Sequence, residues 1–122
     1  MRTPHGEFAG YHTSADGMER ISPESLTEAV DTCLELVDVL ETNRRCTNLS
    51  PHGEPQLGRR GLYRSAGGAV ETPDAERALL WVLNQSDGGA TLMDIARRSG
   101  LRYTVIRRAA ERLGEAGLLQ PV

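Results

Sequence analysis

The sequence predicts a mainly α-helical chain, and three observations carry that prediction. Aromatic residues make up only 4% of the 122 residues, so the core has to be built from Leu, Val, Ile and Ala. Apolar residues recur at three- and four-residue spacing, once after residue 22 and in three segments after residue 72. The final run LLQPV is typical of a short strand. Helix, helix, tight turn, helix and strand is the order of a winged helix-turn-helix domain.

The first 45 residues are predicted to form a loop followed by one long amphipathic helix. Residues 1–20 show neither a helical nor an alternating period, which is typical of a loop. Ser22 is a good N-cap, and Pro23 suits the first helical position. The helix then carries one apolar face, formed by Leu26, Val30, Cys33, Leu34, Val37 and Leu40. A face this apolar needs a large partner surface, and we expect the Cys33 thiol on it to be buried and unreactive.

The rest of the chain is predicted to be a linker and a small domain. Residues 46–71 are dense in Gly, Pro and Asn without a sustained period, which indicates an ordered linker. Residues 72–122 hold the three shorter helices, the first of which opens with Thr72 and Pro73. We therefore divide the chain into residues 1–45, residues 46–71 and a winged helix-turn-helix domain over residues 72–122.

Local signals mark the other helix ends of this last domain. Thr91 followed three residues later by Asp94 resembles a capping box at the start of the second helix. Gly100 breaks that helix and makes the tight turn. Gly117 is expected to end the third helix in a left-handed conformation, because glycine has no Cβ to clash there.

The overall composition argues against several classes of function and location. The net charge of −3 gives no general attraction to nucleic acid or to an anionic membrane. Cys33 and Cys46 form neither a CxxC pair nor a disulfide framework, which favours a reducing compartment. No signal peptide pattern and no long apolar run is present in the sequence. We therefore expect a cytoplasmic protein that does not span or bind a membrane.

The third helix of the last domain is a candidate for nucleic-acid contact. It would present outward Arg102, Tyr103, Arg107, Arg108 and Arg112, whose guanidinium groups could meet phosphates or guanine edges. Acidic residues of the same domain leave it nearly neutral, whereas phosphate binding usually needs an excess of positive charge. Two interpretations stay open, a small DNA-binding regulator and a protein-interaction module, and the second is favoured.

The run YHTSAD, residues 11–16, contains a candidate metal ligand. A catalytic zinc needs at least three protein ligands and an open position. The carboxylates closest in sequence to His12, those of Glu7, Asp16 and Glu19, are not spaced in a way that fixes them around one metal ion. On spacing alone, His12 is either a solvated loop histidine or one part of an incomplete site.

Three stretches in this order, RTPHGEFAGYHTSADG, NLSPHGEPQLGRRGLY and ALLWVLNQSDGGATLMDIARRSGL, resemble the C-terminal part of a bacterial family of zinc-aminopeptidase-like proteins. Its members are often labelled as aminopeptidase-like or polysaccharide-biosynthesis proteins and end in a winged helix-turn-helix domain. The resemblance covers essentially the whole chain, and GEPQLGRRGLY is its most specific part. It implies that the loop and long helix are the tail of an α/β zinc-aminopeptidase domain.

This resemblance also implies roles for single residues. His12 would bind zinc through an imidazole nitrogen, Asp16 would orient the loop or the ring, and Tyr11 would face the site and stabilise an oxyanion. The remaining ligands and the glutamate base of such enzymes lie far upstream of this motif. We therefore expect a C-terminal fragment of a zinc hydrolase that is inactive and binds no zinc tightly by itself. Whether the chain itself is an enzyme stays open. The implied partner is the upstream catalytic portion or a second copy of the chain.

Overall fold

A computed structural model of the protein describes residues 7–63 and 73–122. Within these ranges it contains four α-helices, three short β-strands and two 3₁₀ helices. The chain divides into two compact units, Met1–Asp38 and Val39–Val122. None of the helices in the described ranges has the length and apolar character needed to cross a membrane.

The first unit consists of a loop and most of a long helix. Helix α1 spans Pro23–Thr42, so its last turn belongs to the second unit. The Ser25 N–H donates to Ser22 Oγ at 3.1 Å, which confirms Ser22 as the N-cap. No side chain of α1 is buried by the described residues, and Cys33 is exposed. The expectation of a buried Cys33 is therefore wrong for the chain by itself, because none of the described residues covers the apolar face.

The second unit contains a three-stranded antiparallel sheet. Its strands are β1 (Arg45–Asn48), β2 (Asp87–Thr91) and β3 (Leu119–Pro121), in the order β2-β1-β3. Arg45 pairs with Thr91 on one side of β1, and Asn48 pairs with Leu119 on the other. The short strand predicted in LLQPV is confirmed, whereas β1 and β2 were not predicted. The centre of the sheet thus comes from a segment that precedes the three shorter helices.

Those helices are α2 (Pro73–Gln85), α3 (Leu92–Ser99) and α4 (Tyr103–Glu115). The capping box at the start of α3 is confirmed, since the Asp94 N–H donates to Thr91 Oγ1 and the Thr91 N–H donates to the Asp94 carboxylate. Thr72, predicted to open α2, lies outside the described residues.

Two glycines with a left-handed backbone conformation lie at the C-terminal ends of α3 and α4. Gly100 has φ 71° directly after α3, and Gly117 has φ 68° two residues after α4. Both angles are costly for residues with a Cβ. The left-handed conformation predicted for Gly117 and the helix end predicted at Gly100 are confirmed. Because the turn between α3 and α4 is this tight, the two helices follow each other as in a helix-turn-helix. The predicted fold class, mainly α with a C-terminal winged helix-turn-helix, is confirmed.

One apolar core holds the second unit together, and the predicted linker contributes to it. A 3₁₀ helix at Leu57–Arg60 places Leu57 in the core, and Leu62 is buried just after it. The largest fully buried side chains are those of Leu57, Leu79, Leu92, Ile95, Ile106, Leu113, Val82 and Cys46. The division at residues 46 and 72 stays a prediction, but β1 and the linker leucines share a core with the helices that follow.

Candidate functional site

The loop that carries the candidate metal ligand is a series of tight turns. The Tyr11 N–H donates to the Phe8 carbonyl at 3.0 Å, and the Asp16 N–H donates to the Thr13 carbonyl at 3.1 Å. Between them, both the N–H and the hydroxyl of Thr13 donate to the Gly10 carbonyl, at 3.1 and 2.8 Å. Local hydrogen bonds therefore hold YHTSAD in a defined conformation, and Thr13 is its central element.

His12 has an uncommon backbone conformation and a defined ring orientation within this loop. Its φ is 60°, a left-handed conformation that costs a non-glycine residue on the order of 1 kcal/mol. Its imidazole stacks on the Tyr11 ring with the centroids 4.0 Å apart and the planes 16° from parallel. The histidine is exposed. Because the imidazole is exposed and its ring plane is set by Tyr11, it is suited to bind a group from outside the loop.

The described residues supply too few ligands for a complete metal site. Within residues 7–63 and 73–122 there is no group of three or more His, Cys, Asp or Glu side chains that could hold a metal ion. Asp16 is exposed in the same loop as His12. The donor set therefore fits one imidazole contribution to a zinc site and does not fit a site built by this part of the chain alone.

The apolar face of α1 is an exposed surface. Leu26 is 57% exposed, Val30 56% and Leu34 61%, and the face continues through Val37 and Leu40. Isolated exposed apolar residues are ordinary, but a continuous row of them marks an interaction surface. Cys33 lies within this row, so its thiol would be covered together with its neighbours by any partner that binds there.

The predicted nucleic-acid face of α4 is largely engaged within the chain. Tyr103 Oη and Thr42 Oγ1 share a hydrogen bond of 2.9 Å. Arg107 Nη1 donates to Glu111 Oε1 at 2.7 Å, and Arg112 Nη2 donates to the Leu62 carbonyl at 3.1 Å. At least three of the five side chains expected to meet DNA therefore have partners within the second unit.

The other two predicted contacts, Arg102 and Arg108, are exposed. Arg102 precedes α4 as its N-cap residue, and Arg108 lies in the second turn of the helix. The acidic residue Glu111 lies on the same helix and forms an ion pair with Arg107. Four of the five predicted residues thus lie on α4 and Arg102 directly precedes it.

A groove that the sequence did not indicate lies elsewhere in the second unit. It has a volume of about 780 Å³ and runs between the end of α2 and the segment that follows β1, with Trp81 in its wall. We call it the Trp81 groove. Its residues come from positions 47–55 and 80–87, and no periodic pattern connects two such segments. The lone tryptophan of the chain was the one local signal that could have pointed to it.

Comparison with known families assigns the class of the fold. Residues 44–121 match a family model described as winged helix-turn-helix, and residues 1–43 match one described as a domain of unknown function, DUF4910. The first match covers well over half of the chain and coincides with the sheet and helices of the second unit. The chain belongs to this winged helix-turn-helix family.

Two relatives extend the comparison over the whole chain. The chain is 45% identical to a Clostridium acetobutylicum protein provisionally named as a polysaccharide biosynthesis protein with an aminopeptidase-like domain, and it covers 28% of that protein. It is also similar to a crystal structure of a provisionally assigned peptidase from the same organism, with a TM-score of 0.85, 41% identity and 26% of that chain covered. The chain therefore spans little more than a quarter of these relatives, and the resemblance seen in the sequence is confirmed.

Proposed function

We propose that the chain acts as the C-terminal part of a zinc-dependent aminopeptidase-like hydrolase. The observation that carries the proposal is the match of all 122 residues, at 45% identity, to the C-terminal 28% of a protein named for an aminopeptidase-like domain. The proposed reaction is hydrolysis of an N-terminal peptide bond or a related amide bond. The two free cysteines fit the cytoplasmic location that we propose for it.

In this proposal the turns around His12 place one metal ligand. Zinc, when bound, would supply a Lewis acid that activates water and polarises the amide carbonyl. His12 would hold it through one imidazole nitrogen, with the ring plane set by stacking on Tyr11. Asp16, in the same series of turns, would orient the loop or the ring. The general base and the other ligands would come from the portion that precedes residue 1 in the relatives.

The apolar face of α1 is the proposed surface for that portion. Full burial of a Val or Leu side chain contributes about 1.5–3 kcal/mol, so a half-exposed one still has roughly 1 kcal/mol to gain. At least five such side chains lie along one side of α1. Covering them would stabilise the assembly by several kcal/mol and would hold the His12 loop, which is close in sequence, against the rest of the site.

The test is a chimera in which this chain replaces the matching 28% of the Clostridium protein. We expect it to bind zinc and to release p-nitroaniline from amino-acid p-nitroanilides, whereas the chain alone binds no zinc tightly and shows no activity. His12→Ala should lose zinc, measured by mass spectrometry of the bound metal, and should lose activity. His52→Ala, which removes another exposed loop histidine, is the matched control and should keep both.

Two results would contradict the proposal. One is tight binding of one zinc ion per molecule by the chain alone. The other is a His12→Ala chimera that keeps its zinc content and activity at the level of the His52→Ala control.

For the winged helix itself we propose packing against protein, either the catalytic portion or a second copy of the chain. DNA binding is the second candidate, and the exposed Arg102 and Arg108 are the observation in its favour. The intramolecular partners of Tyr103, Arg107 and Arg112 favour packing, because DNA would have to replace bonds that already exist.

A further inference from the structure

The walls of the Trp81 groove combine apolar and polar side chains and come from two separate segments. Leu80, Trp81 and Leu83 line it from α2, and Pro51 and Pro55 line it from the segment after β1. Its volume of about 780 Å³ lies within the range of small-molecule sites, about 300–1,000 Å³. Trp81 is half-buried, packed against the core by one part and facing outward by another. The groove therefore offers an aromatic surface to a ligand of moderate size.

The ionisable residues that line the groove are both acids. Glu54 and Asp87 contribute carboxylates, and neither Arg nor Lys is among the lining residues of the described chain. The N–H groups of Gly89 and Ala90 donate to Asp87 and lower the pKa of its carboxyl, and the positive charge of Arg98 outside the lining lowers it further, so Asp87 is ionised at neutral pH. The charge of the groove thus complements a cation and disfavours an anion.

A buried hydroxyl at the same place has an unmet hydrogen-bonding capacity. Ser86 lines the groove, is only 3% exposed, and its Oγ has no hydrogen-bond partner among the described residues. Buried polar groups are normally paired, and an orphan one often marks the place of a water molecule or a ligand group. Asn48, which also lines the groove, by contrast donates from Nδ2 to the Leu83 carbonyl at 2.9 Å and accepts the Ser50 N–H at Oδ1 at 2.8 Å.

We infer that the Trp81 groove is a binding site for a small organic cation, an ammonium group carried on an aryl or alkyl body. The apolar body lies against Trp81 and the two prolines, and the ammonium lies toward Glu54 and Asp87. An aromatic face attracts a nearby cation in addition to the carboxylates, so the same ligand satisfies both features of the site. Every lining residue belongs to the second unit, so the inference does not rest on the proposed hydrolase function.

The chain has a single tryptophan, so fluorescence reports on this groove directly. The complete chain is titrated with phenethylamine and, as the matched neutral ligand, with phenethyl alcohol. We expect a saturable change in Trp81 emission, with the amine binding about three- to tenfold tighter than the alcohol because of the two carboxylates and the aromatic face. Added salt should weaken the binding of the amine and leave that of the alcohol unchanged.

Single-residue variants then locate the charge effect. Glu54→Gln and Asp87→Asn should each weaken amine binding about two- to fivefold without changing alcohol binding. Glu115→Gln removes an exposed carboxylate that does not line the groove and should change neither. Three results would each overturn the inference. They are equal affinities for amine and alcohol, equal effects of Glu54→Gln and Glu115→Gln, and no saturable change up to about 20 mM ligand.

Discussion

Leu57 provides the sharpest test of whether the predicted linker belongs to the core. Its side chain is fully buried, although it lies in a short 3₁₀ helix between turn residues. Its carbonyl accepts a 3.0 Å hydrogen bond from the Leu62 N–H, and Leu62 is buried as well. Leu57→Ala would remove buried methyl groups and leave a cavity, which costs about 3 kcal/mol, in the range of roughly 2–5 kcal/mol for such changes.

This loss should be visible in thermal unfolding followed by circular dichroism. For a unit of this size, about 3 kcal/mol corresponds to a decrease in Tm of roughly 12–24 °C. Leu49→Ala is the matched control, because Leu49 lies in the same segment but is 51% exposed. That control should change the free energy of unfolding by no more than about 0.5 kcal/mol. If the two variants unfold at the same temperature, the segment is a tether and the reasoning is refuted.

Two further predictions concern the helix-turn-helix. Hydrogen bonds from the side chain and backbone of Thr91 lower the pKa of the Asp94 carboxyl below its ordinary value of 3.8. The ionised carboxylate therefore stabilises the folded state above pH 3.8, and this stabilisation is lost as the pH falls through the lowered pKa. Asp94→Asn should therefore flatten the decrease in Tm between about pH 5 and pH 2, and an unchanged slope would contradict this. In anisotropy titrations with duplex DNA at physiological salt, we expect a Kd in the non-specific range of about 10⁻⁴–10⁻⁶ M. Arg108→Ala should weaken this binding further. Nanomolar binding with a steep salt dependence would instead support a DNA-binding regulator.

The helices could be predicted because their signals are local. Thr91 and Asp94 are three residues apart, and Gly100 ends the same helix, so a short window of sequence contains both the start and the stop signal of α3. The strands differ in this respect. β2 has the sequence DGGAT, whose glycines disfavour a strand when considered alone, and it forms by pairing with β1, about forty residues earlier. At four and five residues, both strands are also too short to show a clear alternating pattern.

The candidate site was predictable only in part, for a related reason. The series of turns around Thr13 is local, but nothing in the spacing of YHTSAD distinguishes a ligand from a solvated histidine, and the role of His12 came from resemblance. The burial of Cys33 was predicted from an apolar face that the described residues leave exposed. The groove was missed because Pro51 and Trp81 meet only in the folded second unit.

The surroundings of α4 give a physical reason to favour packing over DNA recognition in this winged helix. Thr42 bonds Tyr103 in the first turn of α4, and the Leu62 carbonyl receives the Arg112 guanidinium near its end. A neutral hydrogen bond contributes about 0.5–1.5 kcal/mol, and one from a charged group about 1.5–3 kcal/mol. Binding DNA through these side chains would first cost both bonds, whereas a protein that packs beside them can leave both intact. The linker thus already occupies one of the guanidinium groups predicted to meet DNA, that of Arg112.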